Sequence, residues 1–218
     1  MPPMVFMGGM DGPDDSFETP LWGENLRVAG VDEVGRGPLA GPVVAAAVVL
    51  DPLCIPPGLN DSKKLSFKRR ARLSAWLHEC AEVSIGVASV EEIDELNILQ
   101  ASLLAMHRAV TGLERPAQHA LVDGRFLPPQ LPCHATPIIK GDGRSVSIAA
   151  ASVVAKCYRD RLMRDLAQQH PGYGWETNAG YGSKKHKEAL QNLGVTPHHR
   201  RSFKPIHNIL WQANFTSD

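Results

Sequence analysis

Nine consecutive residues without a polar side chain, 42–50, constrain the fold of this chain most strongly. They read Pro-Val-Val-Ala-Ala-Ala-Val-Val-Leu and are rich in β-branched valine. Strands buried on both faces are continuous apolar runs, whereas strands with one face in water alternate between apolar and polar residues. The run therefore predicts a strand covered on both faces.

The patterns on either side of this run indicate an α/β fold. Further strands are predicted at 26–33, 83–88, 120–122 and 136–140. Helices are predicted at 67–81, 145–169 and 183–193. A further helix is predicted to begin at the capping box Ser89/Glu92 and to continue through an apolar stripe over 99–113. The short link between the first two strands favours a hairpin, and later strands alternate with helices. We predict a five-stranded mixed sheet flanked by helices, with a small helical C-terminal part.

Composition excludes several classes of protein. No apolar run approaches the ~20 residues of a membrane span, and the four cysteines contain no Cys-x-x-Cys pair, which argues against a zinc knuckle or a disulfide framework. The 218 residues carry no net charge, yet residues 1–25 hold five acids and no lysine or arginine. We therefore expect 1–25 to be a loose acidic leader, and we expect a monomer located in the cytoplasm.

Positive charge is concentrated in two clusters, at 61–72 and 184–204. Each cluster holds six lysines and arginines against a single acid. Such clusters suit a polyanion, but charge alone equally allows two solvated helix faces.

Four acids, Asp32, Glu33, Asp123 and Asp142, each lie at a predicted strand end beside glycine or a glycine-containing turn. Any one of them alone fits a turn residue or a helix cap. Open α/β sheets place ligand sites at such ends, and clustered carboxylates repel one another unless a cation lies between them. Together the four acids predict a site for Mg²⁺ or Mn²⁺, with two ions able to promote phosphoryl transfer.

The turn Gly35-Arg36-Gly37 follows the first two acids directly. Glycines without a Cβ allow the backbone to approach a ligand closely. The planar guanidinium of Arg36 can donate to phosphate in a fork. Metal and phosphate binding so close together suggest chemistry on a nucleotide or a nucleic acid.

Five groups of segments, in order along the chain, resemble ribonuclease HII, the bacterial type 2 ribonuclease H. The first reads Gly-Val-Asp-Glu-Val-Gly-Arg-Gly-Pro-Leu-Ala-Gly-Pro-Val over 30–43. The second group is 59–65 and the third is 122–124. The fourth group combines 140–142, 149–156 and 159–160, and the fifth combines 180–182, His186 and 198–203. The resemblance covers the chain from about residue 28 to about residue 205.

The resemblance implies a ribonuclease H-like catalytic domain over 26–218, with a helical, basic substrate-binding segment over about 171–218. It implies endonucleolytic cleavage of RNA in RNA–DNA hybrids and nicking 5′ to single ribonucleotides embedded in duplex DNA. It also implies two divalent cations, Mn²⁺ or Mg²⁺, and products with 3′-hydroxyl and 5′-phosphate ends.

The resemblance also assigns roles residue by residue. The metal-binding catalytic carboxylates are Asp32, Glu33, Asp123 and Asp142. The residues that would contact substrate are Gly35, Arg36 and Gly37 at the 2′-hydroxyl, Tyr181 at the adjoining sugar, and Lys63 and Lys64 at the nucleic-acid backbone. These roles are physically reasonable, since a 2′-hydroxyl distinguishes RNA from DNA at a single site.

The sequence departs from the family pattern at Ala179, where a lysine usually precedes the substrate tyrosine by two residues. Lys184 or Lys185 could supply that phosphate contact. Three histidines, His186, His198 and His199, resemble a metal cluster, but helix and backbone contacts are the preferred interpretation.

Three alternatives to this function are weighed. A transposase or proofreading exonuclease would share the strand-end acids, but not the Gly-Arg-Gly and Gly-Tyr-Gly motifs together. Ribonuclease HIII usually adds an N-terminal substrate-binding domain, which the acidic, Gly/Pro-rich stretch 1–25 is too short to form. A non-catalytic nucleic-acid binder would gain nothing from four acids, because they weaken binding to a polyanion.

Overall fold

The structure is a computed structural model that describes residues 12–215, with side chains through residue 211. Its strands are β1 (Val28–Val34), β2 (Val43–Leu50), β3 (Ala81–Ala88), β4 (His119–Asp123) and β5 (His134–Ile138). They form one sheet in the order β3-β2-β1-β4-β5. β1 pairs antiparallel with β2 and parallel with β4, and β4 pairs parallel with β5. The predicted five-stranded mixed sheet is confirmed.

Eight α-helices lie within the described residues. They are α1 (Thr19–Gly23), α2 (Phe67–Cys80), α3 (Val90–Leu96), α4 (Ile98–Thr111), α5 (Val146–Gln169), α6 (Trp175–Asn178), α7 (Lys184–Leu193) and α8 (Lys204–Phe215), with 3₁₀ turns at Ser62–Lys64 and Gly141–Gly143. None of the helices in this part of the chain combines the length and apolar character that crossing a membrane requires.

One predicted helix is two helices in the structure. The capping box of Ser89 and Glu92 starts α3 as expected. The chain then turns at Asn97, which has a φ of 71° and a ψ of 163°. The Asn97 Oδ1 atom accepts the backbone N–H groups of Leu99 and Gln100 and so caps α4. The prediction of one continuous helix was wrong because the backbone of Asn97 is not helical and its side chain caps a new helix.

The chain divides into two compact units, and the first comprises residues up to 34 together with 44–87 and 103–157. Every residue of β2 is buried, as its apolar sequence predicts. Leucines of α2 and small residues of α5 belong to the same apolar cluster as β2. A Cβ at Gly30 would lie 2.0 Å from the carbonyl carbon of Ser147, so glycine lets α5 lie directly on β1.

The second unit comprises 35–43, 88–102 and the residues from 158 onward. Its core is an apolar cluster that joins the loop after β1 to the C-terminal helices. The fully or nearly fully buried members include Leu39, Met163, Tyr173, Trp175 and Ile206. This core supports the loop that carries Gly35-Arg36-Gly37.

The described part of the predicted leader, 12–25, is not loose. It contains α1, and the Glu18 side chain is fully buried. The Glu18 Oε1 atom accepts the Ser145 hydroxyl at 2.5 Å and the Ser147 N–H at 2.9 Å. Burial raises the pKa of Glu18, and the two serines partly oppose that change. Residues 1–11 lie outside the described part, and the domain boundary near residue 25 stays a prediction.

Candidate active site

Three carboxylates meet at one end of the central strands β1 and β4. Val31 and Val122 are register partners in this parallel pair, so Asp32 and Asp123 follow at equivalent positions. One ligand oxygen from each of Asp32, Glu33 and Asp123 lies within 4.8 Å of the others. Sheet pairing therefore brings together acids that are distant in the sequence.

Asp32 is the buried member of this group, and its surroundings disfavour the charged form of its carboxyl group. Asp32 is only 6% exposed. Burial raises its pKa well above the usual value, and the charges of Glu33 and Asp123 raise it further. Burial likewise raises the pKa of Asp123, although the Gly141 N–H, 2.6 Å from Oδ1, opposes this. A cation among these oxygens would relieve the repulsion.

The fourth predicted carboxylate, Asp142, stands beside the group of three and lies in the turn Gly141–Gly143. Its Oδ2 atom is 3.9 Å from the Lys63 ammonium. Burial raises the pKa of Asp142, and the charge of Asp61 adds to the effect. Burial would lower the pKa of Lys63, but Asp61 and Asp142 outweigh it and the pKa is raised. Lys63 therefore supplies positive charge beside Asp142, and both Lys63 and Lys64 are exposed.

The predicted 2′-hydroxyl loop and the predicted sugar-contacting ring are neighbours in the second unit. Gly35 has a φ of 96°, and a Cβ there would lie 2.2 Å from the Arg159 Nε atom. A Cβ on Gly37 would lie 3.3 Å from Cε1 of Tyr181. The Tyr181 side chain is 48% exposed, so the ring borders the glycine turn and remains accessible.

Three buried side chains hold these loops. Sequence reasoning missed two of them, Arg159 and Arg200, whereas the backbone contact expected of His186 is present. Arg159 and Arg200 are fully buried and donate to backbone carbonyl groups around the glycine turn. His186 is also fully buried and contacts the Tyr181 carbonyl. Arg159, His186 and Arg200 fall inside the motif segments, but nothing in the sequence distinguishes a buried arginine from a phosphate-binding one.

The departure at Ala179 has a local structural setting. Ala179 adopts a left-handed conformation with φ of 47°, and its carbonyl accepts from Arg159 at 2.9 Å. The two lysines that could replace the missing lysine have acidic neighbours. The exposed ammonium group of Lys184 lies 3.8 Å from Glu188, and that of Lys185 lies 3.3 Å from Glu176. Surface pairs of this kind are weak and can exchange for a phosphate.

Comparison with known proteins identifies the family of this chain. The family model for Ribonuclease HII matches residues 29–206. A ribonuclease HII of Ruegeria pomeroyi is 67% identical over 205 residues, spanning 94% of this chain and 88% of its own. One of Jannaschia sp. is 63% identical over 199 residues, spanning 91% and 98%. The solved ribonuclease H2 of Pyrococcus horikoshii OT3 superposes with a TM-score of 0.73 at 27% identity, covering 88% of this chain and all of its own. The chain belongs to the ribonuclease HII family, and is thus a type 2 ribonuclease H.

Proposed function

We propose that this chain hydrolyses the RNA strand of RNA–DNA hybrids and nicks duplex DNA 5′ to single embedded ribonucleotides, leaving 3′-hydroxyl and 5′-phosphate ends. The observation that carries the proposal is the convergence of Asp32, Glu33 and Asp123 oxygens within 4.8 Å. It is supported by the glycine turn and the accessible Tyr181 ring beside it.

The donor set fits hard divalent cations. Mg²⁺ and Mn²⁺ prefer oxygen ligands, and two oxygens on one Mg²⁺ are at most ~4.2 Å apart at its usual ligand distances. Three carboxylate oxygens within 4.8 Å can therefore share such ions with little rearrangement. Asp32, Glu33 and Asp123 would hold them, with Asp142 as a fourth ligand. Two bound cations would generate the attacking hydroxide and stabilise charge on the scissile phosphate.

The chain's own residues would orient the substrate. The Lys63 ammonium beside Asp142 places positive charge where a phosphate would otherwise meet only acids. Lys64 and the other basic residues of 61–72 would add affinity that does not depend on sequence and falls with salt. No serine, cysteine or histidine is needed as a nucleophile, because water attacks the phosphorus.

Recognition of the ribonucleotide would fall to the second unit. Backbone groups at Gly35, Arg36 and Gly37 can approach a 2′-hydroxyl closely, because Gly35 and Gly37 carry no Cβ. The Tyr181 ring would pack on the neighbouring sugar, where a second 2′-hydroxyl would be crowded. The monomeric state and the cytoplasmic location stay predictions.

The test is incubation of the protein and Mg²⁺ or Mn²⁺ with a DNA duplex containing one ribonucleotide. We expect a single nick 5′ to that nucleotide and none in the all-DNA duplex. Asp123→Asn should remove cleavage and leave duplex binding intact, whereas Asp165→Asn, on the exposed face of α5, should cleave normally. Binding without cleavage by the unmodified protein would instead identify a non-catalytic nucleic-acid binder.

A further inference from the structure

Two arginines in the second unit are fully buried and hydrogen-bonded to main-chain carbonyl oxygens. Arg159 extends from α5, and Arg200 precedes α8. Arg159 donates to the carbonyls of Pro42, Ala179 and Ala40 at 3.0, 2.9 and 3.1 Å, and Arg200 to those of Gly41, Arg36 and Gly35 at 2.9, 2.9 and 2.5 Å. Every nitrogen of both guanidinium groups thus has a carbonyl acceptor.

Burial of these two charged side chains costs free energy. A buried cation loses its hydration, and the loss is offset only where enough hydrogen bonds replace it. Burial lowers the pKa of Arg200, the nearby charge of Arg159 adds to this effect, and together they bring the pKa to about 9. An apolar side chain of similar volume would pack without this cost. The six carbonyl contacts suggest that the guanidinium groups shape the main chain.

Arg200 fixes two consecutive peptide groups of the glycine turn. Its Nη2 atom binds the Gly35 carbonyl and its Nη1 atom binds the Arg36 carbonyl. In a trans peptide the C=O and the next N–H point in opposite directions, and the described chain has no cis peptide bond. The N–H groups of Arg36 and Gly37 therefore both point away from the guanidinium.

Two N–H groups of successive residues that point the same way form a small donor site for an oxygen atom. Gly35 permits this geometry, because its φ of 96° is available to glycine at little cost. Gly37 borders Tyr181 with no Cβ between them. The donors thus lie on the turn that the proposed function assigns to the 2′-hydroxyl.

We propose that Arg200 is a positioning residue for ribonucleotide recognition, which holds the Gly35 and Arg36 carbonyls so that the N–H groups of Arg36 and Gly37 donate to the 2′-hydroxyl oxygen. This inference rests on the proposed function. Arg200 itself touches no substrate. Its removal should therefore affect discrimination between ribose and deoxyribose more than affinity for duplex DNA.

The experiment compares affinities in the Asp123→Asn background, where no cleavage is expected. The ratio of Kd values for an all-DNA duplex and for the same duplex with one ribonucleotide measures 2′-hydroxyl recognition. Arg200→Lys keeps the charge but cannot hold two carbonyls in a fork. We expect the ratio to fall at least tenfold in this variant, while its Kd for the all-DNA duplex stays unchanged. In the otherwise unmodified protein, kcat/KM for nicking should fall in proportion.

Two controls separate positioning from folding. Ile206→Ala removes a fully buried side chain of the same core without touching the turn, and should lower stability while keeping the ratio. Arg161→Ala removes an exposed arginine of α5, outside both basic clusters, and should keep both the stability and the ratio. Guanidinium ion added to Arg200→Ala should restore part of the ratio, because it can occupy the vacated space.

An unchanged ratio in Arg200→Lys and in Arg200→Ala would overturn the inference. So would equal loss of affinity for both duplexes, since that is the result of a structural role alone. The unmodified protein is assayed first: if it neither nicks nor prefers the ribonucleotide duplex, the proposed function fails and this inference with it. If it does both while the variants keep the ratio, only this inference fails.

Discussion

The Nδ1 atom of His186 lies 2.9 Å from the carbonyl oxygen of Tyr181. The buried imidazole of His186 therefore holds the loop that carries the accessible Tyr181 ring. A carbonyl only accepts, which places the proton on Nδ1 and leaves Nε2 as an acceptor. That Nε2 lies 3.2 Å from the indole Nε1 of Trp175 and 3.0 Å from Nε2 of His199. His199 in turn accepts the Thr196 N–H at Nδ1. Both rings are therefore neutral, and protonation of either would set two donors against each other.

This pair predicts acid sensitivity. Burial lowers the pKa of His199 to about 4, with His186 adding to the effect, and burial also lowers the pKa of His186. A histidine whose folded pKa lies below the unfolded value of ~6.5 stabilises the fold above that value, and the stabilisation is lost as pH falls toward the folded pKa. The contribution of His199 to the free energy of unfolding should fall by about 2 kcal/mol between pH 7.5 and 5.

Urea unfolding at the two pH values measures this effect by comparison with His199→Gln. The other titrating groups are shared and cancel, so the difference in unfolding free energy between the two proteins should shrink as pH falls. His78→Gln changes an exposed histidine of α2 and should follow the unmodified protein at both pH values. A His199→Gln difference that is constant with pH would show that the ring does not titrate as argued.

Gly35→Ala should be among the more damaging small substitutions in the second unit. It adds a Cβ at a φ of 96° and only 2.2 Å from the buried guanidinium of Arg159. Gly194→Ala also adds a Cβ at positive φ, 79°, but into open space. We expect Gly194→Ala to lose ~1–3 kcal/mol from backbone strain and Gly35→Ala to lose clearly more. Thermal unfolding of the two variants gives the comparison, and equal losses would argue against the packing of Arg159 on Gly35.

Asp123→Asn should separate metal binding from stability. Without cations the variant should be at least as stable as the unmodified protein, because the substitution removes a charge that raises the pKa of Asp32. The asparagine oxygen can still accept the Gly141 N–H. A cation at a hundred times its Kd would stabilise the unmodified protein by ~2.7 kcal/mol, or about 5–10 °C in Tm for a chain of this size.

Tm measured with EDTA and then with Mg²⁺ or Mn²⁺ tests this expectation. The variant should show little of the increase, since it lacks one of the four proposed carboxylate ligands. Asp165→Asn should show the full increase. A similar increase in Asp123→Asn would place the stabilising cation elsewhere.

Tyr181→Ala should impair nicking at a lone ribonucleotide with little change in stability, because the ring is 48% exposed. Tyr158→Ala is the matched control, since Tyr158 is an α5 tyrosine with 43% exposure. We expect the Tyr181 variant to lose about tenfold in kcat/KM, or ~1.4 kcal/mol of transition-state stabilisation, because the neighbouring sugar loses its packing partner. The Tyr158 variant should lose almost nothing. Equal kinetics for both variants would remove Tyr181 from the substrate site.

Much of the sheet could be predicted because its signals are local. The apolar run 42–50 became the fully buried β2, and the Ser89 capping box starts a helix. The acids at the ends of β1 and β4 could also be placed together, since parallel neighbours end at one edge. The split at Asn97 was missed, because the apolar stripe continues past it.

The supports of the candidate site could not be predicted for a different physical reason. A buried arginine and a surface arginine have the same sequence signal, and burial of Arg159 and Arg200 depends on carbonyl groups that other segments supply. Glu18 is similar, because an acid in a Gly/Pro-rich stretch is typical of a solvated segment. Its carboxylate is nevertheless buried, where the Ser145 hydroxyl and the Ser147 N–H, both distant in the chain, donate to it. Such contacts become visible only when the tertiary fold is known.

The register of β1 against β4 has a consequence for folding of the protein during its synthesis. Val31 emerges from the ribosome long before its partner Val122 is translated. Until β4 leaves the exit tunnel, Asp32 and Glu33 have no third carboxylate beside them, whatever hairpin β1 has already formed with β2. Non-local pairing of this kind is slow, because a long intervening loop must close first. A nascent chain of this protein thus gains its charged cluster late, after most of the sheet has been synthesised.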